Sequence, residues 1–142
     1  MFSHILIAWD ASPNARRAFD YALEIAKRFD SRLNVAVVAR SAEHADSDTE
    51  RRRSVEEARR FYQERSSPLL EAARERGVHA ELLVLEGEHP AEKLVETAAH
   101  VGADVIVIGR RGRSAMSRFL MGSTSDRVVR YASCPVLVVN DR

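Results

Sequence analysis

The sequence predicts an α/β domain built on a parallel sheet, and three observations carry that reading. Short, continuous apolar runs alternate along the chain with longer segments whose apolar residues recur at helical spacing. Helix-start and helix-stop residues stand between them. The fourth apolar run leads directly into a glycine-rich loop that closes on a serine- and threonine-rich helix start. Strands alternating with helices imply a parallel sheet covered on both faces and joined by right-handed crossovers. At 142 residues the chain has the length of one domain, residues 1–142.

Residues 5–9 are apolar and end at Asp10-Ala11-Ser12-Pro13-Asn14, a first strand buried on both faces and closed by a turn. Ser12 before Pro13 is a helix-start signal, an N-cap followed by proline in the first helical position. Ala15, Ala18, Phe19, Ala22, Leu23, Ile25, Ala26 and Phe29 then fall mostly on one helical face. Residues 33–39 make the second strand, and the small, polar, acidic residues 41–49 a loop. Residues 50–77 form a helical segment rich in Glu, Arg and Ala, with apolar positions that include Val55, Ala58, Tyr62, Leu69 and Ala73. Pro68 interrupts it, and Ser66 or Ser67 can cap a second piece, so either a kink or two abutting helices is expected. Gly77 terminates it. Residues 79–86 are the third strand, 90–101 the next helix, 105–108 the fourth strand, 123–132 the last helix and 135–139 the fifth strand.

Composition bounds the partners. The chain is 45% hydrophobic and 30% charged with a net charge of +1, which gives no general case for nucleic acid or membrane binding. No apolar stretch reaches membrane-spanning length and the N-terminus lacks a signal-peptide pattern, so a cytoplasmic location is expected. A single cysteine, Cys134, excludes an internal disulfide framework and reads as a small filler at the start of a strand. His4, His44, His79, His89 and His100 are scattered without i, i+4 pairing or cysteine partners, so no dedicated zinc site is expected.

Chemistry concentrates in residues 109–125. The pattern is G-x2-G-x9-G-S-T-S, formed by Gly109, Gly112 and Gly122 with Ser123, Thr124 and Ser125. Glycines let backbone N–H groups approach an anion without a side chain in the way. A helix N-terminus with hydroxyls beside it is a phosphate site, so a phosphorylated ligand is expected. The competing reading is an ordinary surface connection. In an open parallel sheet, ligands bind outside the carboxyl ends of the strands where strand order reverses. The first strand ends at Asp10, the second near Val38 and the fourth at Gly109, all at that edge. Asp10 either serves a ligand there or caps its own turn. Which of Arg110, Arg111 and Arg113 reaches a phosphate stays open.

With these residues the chain resembles the universal stress protein family over its whole length. The resemblance lies in the initial I-L-I-A-W-D-A-S, the G-A-D-V-I-V-I-G strand, the glycine loop and the terminal S-C-P-V-L-V-V. It implies a five-stranded sheet in the order 3-2-1-4-5 and ATP binding, as in the subclass that retains the loop. Carried across, Asp10 would bond the ribose hydroxyls or support the phosphates, and Val38 would meet adenine through backbone groups. Gly109, Arg111 and Gly112 would line the ribose and phosphates, while Gly122, Ser123, Thr124 and Ser125 would hold the triphosphate. Trp9 is bulkier than the small or aliphatic residue common in its slot. Any metal would be Mg²⁺ or Mn²⁺ arriving with the phosphates, which suits hard oxygen ligands.

Function is therefore read as an ATP-binding regulatory protein whose nucleotide alters its conformation or partners. A slow ATPase and a ligand-free interaction module are the alternatives. There is no G-x4-G-K-[ST], no lysine near the glycine loop and no kinase signature, so efficient turnover is not expected. Adenylating enzymes and electron-transfer flavoprotein-like domains share related folds, but S-G-G-x-D-S and H-I-G-H are absent. In the implied order the fifth strand, with Val136, Leu137, Val138 and Val139, is an edge that can pair with a second copy, and a homodimer is expected.

Overall fold

The central strand carries neighbours on both sides. In the computed structural model, which describes residues 1–40, 47–111 and 120–141, β1 (His4–Ala8) runs parallel between β2 (Arg32–Ala39) and β4 (Val105–Gly109). Ile7 stands opposite Val35 on one side and Val107 on the other. β3 (Ala80–Glu86) adds outside β2, and β5 (Val136–Val139) adds outside β4. The result is a five-stranded parallel sheet in the order β3-β2-β1-β4-β5, the fold class and strand order expected from the sequence. β5 is an edge, and Leu137 on it is exposed.

Alternating side chains on each strand face opposite layers. Ile5, Ile7, Val35, Val37 and Val107 pack against Phe19 and Leu23 of α1 (Pro13–Phe29) and Leu69 and Ala73 of α2 (Asp48–Glu75). Leu6, Ala8, Ala36, Ile106 and Ile108 pack against Leu94 and Ala98 of α3 (Pro90–Val101) and Val128 of α4 (Ser123–Tyr131). Two buried faces explain why the inner strands read as unbroken apolar runs. The polar exception is Asn34, 7% exposed, whose side-chain oxygen bonds the His4 imidazole. Cys134 packs, half-buried, on the α3–α4 side, where burial pushes its thiol above the usual cysteine range. That environment suits a filler.

The helix signals hold where they rest on caps. Ser12 Oγ accepts the Ala15 N–H at 3.1 Å, with Pro13 in the first turn. Pro90 opens α3 after His89, which makes no side-chain cap bond, and Gly102 closes the helix at φ 73°. α1 ends without glycine: Asp30 takes the left-handed conformation at φ 55°.

α2 departs from expectation. It is one helix of 28 residues that begins at Asp48, capped by Ser47, whose Oγ accepts the Glu50 N–H at 3.2 Å. Two abutting helices are excluded, and neither Ser66 nor Ser67 caps a second one. Ser66, Leu69 and Ala73 form a buried side that runs past the proline, while Pro68 itself is exposed. Burial on that side compensates for the missing Pro68 N–H. The buried Ser66 hydroxyl donates to the Gln63 carbonyl within the same helix at 3.3 Å. Strand ends shift as well: Trp9 lies beyond β1, yet its backbone N–H still donates to Ala36 O at 2.8 Å. Pro135, with no N–H to give, stays outside β5.

Replacing Pro68 by Ala should restore the absent N–H on an exposed face and raise stability by about 1–2 kcal/mol. Urea denaturation of the two proteins measures it, and a less stable variant would mean that α2 is shaped around its proline.

Candidate functional site

The carboxyl ends of β1, β2 and β4 open onto one cavity of about 570 Å³. Its position follows from topology. Chain leaving β1 enters α1 on one face of the sheet, whereas chain leaving β4 leads to α4 on the other face, so the crevice between them stays uncovered. Asp10, Val38, Gly109, Arg111, Gly122, Ser123, Thr124 and Ser125 all line the cavity. Gly112 lies outside the described residues.

From β1 come Trp9 and Asp10. Asp10 Oδ1 accepts the Ser12 N–H at 2.9 Å, so the carboxylate braces its own turn while it faces the cavity. Within that turn Ala11 sits at φ 64°, a left-handed conformation that costs a non-glycine residue about 1–2 kcal/mol. Strain of this kind collects at functional sites. Trp9 is 7% exposed, and its indole Nε1 is buried with no hydrogen-bond partner.

Gly109 at the end of β4 is needed for packing as well as for an open edge. A Cβ there would stand 3.0 Å from the Asn14 backbone oxygen, so the start of α1 rests directly on this glycine. Two bonds then fasten α4 to the same strand end. The Ser125 hydroxyl, buried, donates to Gly109 O at 2.7 Å, and the Gly122 N–H donates to Arg110 O at 2.8 Å. Gly122 is the N-cap of α4 and offers no side-chain cap. The first-turn N–H groups of a helix have no acceptor within the helix, and here that turn forms part of the cavity wall. The arrangement suits an anion, with the hydroxyls of Ser123 and Thr124 beside it.

Charge is nearly balanced. Among the described residues the charged side chains in the lining are Asp10, Arg40 and Arg111, and Arg111 forms an ion pair with Asp141. Both side chains of that pair are mostly buried, at 19% and 22% exposure. Among the described residues no cluster of three or more His, Cys, Asp or Glu could hold a metal ion. No helix there is long and apolar enough to cross a membrane.

Sequence reasoning missed the cavity's remaining walls. Ala58 and Tyr62 of α2 and Pro90 and Leu94 of α3 close its sides. The available signal was Tyr62, one turn beyond Ala58 on the same helical face and carrying a hydroxyl at an otherwise apolar position. Nothing local marked the Arg111–Asp141 pair, which joins two strand ends.

Substituting Gly109 by Ala should destabilise the fold by about 1–3 kcal/mol through the Asn14 contact. A thermal melt unchanged from the parent protein would show that α1 can yield there at no cost.

Comparison with known proteins agrees with this architecture. A model of the universal stress protein family matches residues 1–140. A Staphylococcus aureus (strain USA300) protein bearing that family's name is 34% identical over 139 residues, covering 97% of this chain and 84% of its own. Among solved structures, a universal stress protein family member from Burkholderia pseudomallei is 29% identical with a TM-score of 0.77, over 97% of this chain and 96% of its own. The universal stress protein from Archaeoglobus fulgidus in complex with dAMP is 26% identical with a TM-score of 0.67, over 97% and 98%.

Proposed function

The chain belongs to the universal stress protein family, and from that premise we propose that its cavity holds ATP and that the bound nucleotide acts as a conformational or partner switch. One observation carries the reading: the first turn of α4, Asp10 and the exit of β2 at Val38 converge on a single cavity at the sheet's carboxyl edge. A relative of the same fold has been seen with dAMP, which supports an adenine nucleotide as the ligand class.

In this reading the phosphates lie at the α4 N-terminus, held by its free N–H groups and by Ser123 and Thr124. Gly122 keeps that approach open. The adenine packs at the β2 exit near Val38, with Trp9 and Tyr62 as aromatic walls, and Asp10 receives the ribose hydroxyls. Mg²⁺ or Mn²⁺ would enter with the phosphates, taking oxygens from them and from Asp10, the carboxylate of the lining. Such a cation would supply neutralising charge.

Rapid hydrolysis is not part of the proposal. Phosphoryl transfer needs positioned cations and a group that orients the nucleophile. Among the described residues the lining offers neither a lysine nor a histidine. A slow ATPase remains the second reading, and its phosphate release should disappear when Asp10 and Ser123 are replaced.

Two experiments test these statements. Purified protein, denatured and analysed by chromatography, should release adenine nucleotide, and saturating Mg-ATP at a hundred times Kd should raise the melting temperature by about 5–10 °C. Gly122→Val should abolish that shift with the apo fold intact. No released nucleotide and no shift in the parent protein would refute ATP binding.

The homodimer reading rests on β5, whose outward backbone edge and exposed Leu137 suit pairing with a second copy. Leu137→Lys should convert a dimer to a monomer in light scattering. Dimers that persist in the variant would rule out the β5 interface.

A further inference from the structure

We infer that Asp141 is a specificity-determining residue, one that lowers the affinity of the nucleotide cavity in proportion to the phosphate charge of its ligand. The inference rests on the nucleotide reading above and concerns the same site. Its starting point is the pair between the carboxylate of Asp141 and the guanidinium of Arg111 in the cavity wall.

Asp141 is held in place by the residues before it. The Arg110 N–H donates to Val139 O at 2.9 Å, and Arg17 Nε donates to Asn140 O at 2.9 Å. The last residue of β5 and the two that follow it are thus tied to the exit of β4 or to α1. These bonds fix the backbone from which the Asp141 carboxylate reaches Arg111. Arg110 also accepts the Gly122 N–H through its carbonyl, so the strap and the start of α4 share one anchoring residue. Asp141 thus reaches the cavity through Arg111, which lines the same wall as the first turn of α4.

An anion already lying on a guanidinium neutralises it and occupies donors that a phosphate would use. It also repels a second anion, and that repulsion grows with the ligand's charge. Both side chains are about four-fifths buried, so water screens the interaction less than at an open surface. Asp141 Oδ1 is buried and makes no hydrogen bond, so the carboxylate is only partly satisfied where it stands. A phosphate can take over the guanidinium, at a cost set by Asp141. Adenosine carries no charge and should not register the residue; AMP should register it weakly and ATP strongly. A divalent cation on the phosphates should reduce the effect.

The test is isothermal titration of the parent protein, Asp141→Asn and the Asp141→Asn/Arg111→Gln double variant with adenosine, AMP and ATP, with and without Mg²⁺. Asp141→Asn should bind ATP roughly three- to tenfold more tightly than the parent, AMP less so, and adenosine equally. The gain should be larger without Mg²⁺ and should vanish in the double variant. Asp141→Glu, which keeps the charge, should bind ATP like the parent, and a gain there equal to that of Asp141→Asn overturns the inference; Asp141→Ser, expected to show the same gain as Asp141→Asn, replaces it if the Asn variant folds poorly in a thermal melt. Unchanged or weaker ATP binding by a folded Asp141→Asn overturns the inference, as does an equal gain for adenosine. A parent protein that binds none of the three ligands overturns the nucleotide reading, and this inference with it. A parent that binds ATP with no response to Asp141 overturns the inference alone.

Discussion

Pairing of β1 on both sides is the constraint on which the rest depends. Because Ile5, Leu6 and Ile7 are aligned with β2 and β4 at once, the carboxyl ends of three strands stop at nearly one level. α1 leaves from the middle of that edge toward one face, and α4 takes the other. Right-handed crossovers leave no freedom to cover the gap between them. The cavity is thus what the sheet leaves open when both faces are packed, and residues far apart in sequence meet there without any local signal to bring them together.

The second level of organisation lies in backbone groups at the end of β4. Gly109 accepts the start of α1 against its Cα and the Ser125 hydroxyl on its carbonyl. Arg110 next to it links Val139 through its N–H and Gly122 through its carbonyl. Four elements meet within two residues. Side chains would obstruct that convergence, which gives the first glycine of the loop a packing reason that holds even before any ligand is considered. The anion-cradle argument and the packing argument select the same residue for different reasons.

That overlap shows how much of the molecule was legible in sequence. Strand count and the cap at Ser12 with Pro13 were readable because each depends on a few adjacent residues. Pro68 misled because a local rule was set against burial that runs along the other side of the same helix, through Ser66, Leu69 and Ala73. The start of α2 was read two residues late, although Ser47-Asp48-Thr49-Glu50 carries the spacing of a capping box. Among the residues that line the cavity, Asp10, Gly109 and the stretch from Gly122 to Ser125 were visible from their place after strands or at a helix start. Tyr62, Pro90 and Leu94 were not, since only the packed helices bring them to the cavity. The family resemblance implied Arg111 beside the ribose and phosphates, with the arginine that reaches phosphate left open, and its pairing with Asp141 depends on strand neighbours that no sequence spacing records.

The commitments of the polar groups also bear on what kind of protein this is. Asp10 spends one carboxylate oxygen on its own turn, Ser125 gives its hydroxyl hydrogen to Gly109, and Arg111 carries a carboxylate. An enzyme that hydrolyses ATP quickly needs side chains whose protons and charges are available when the transition state forms. Here one oxygen of Asp10, the Ser125 hydroxyl and the Arg111 guanidinium are engaged in holding strand ends and helix starts together. What stays unengaged at the α4 end of the cavity is chiefly the first turn's backbone N–H groups, fixed in direction by the Gly122 and Ser125 bonds. On the reading proposed above, fixed donors of that kind would hold a bound anion without moving charge onto a nucleophile, which would suit retention of the ligand better than turnover.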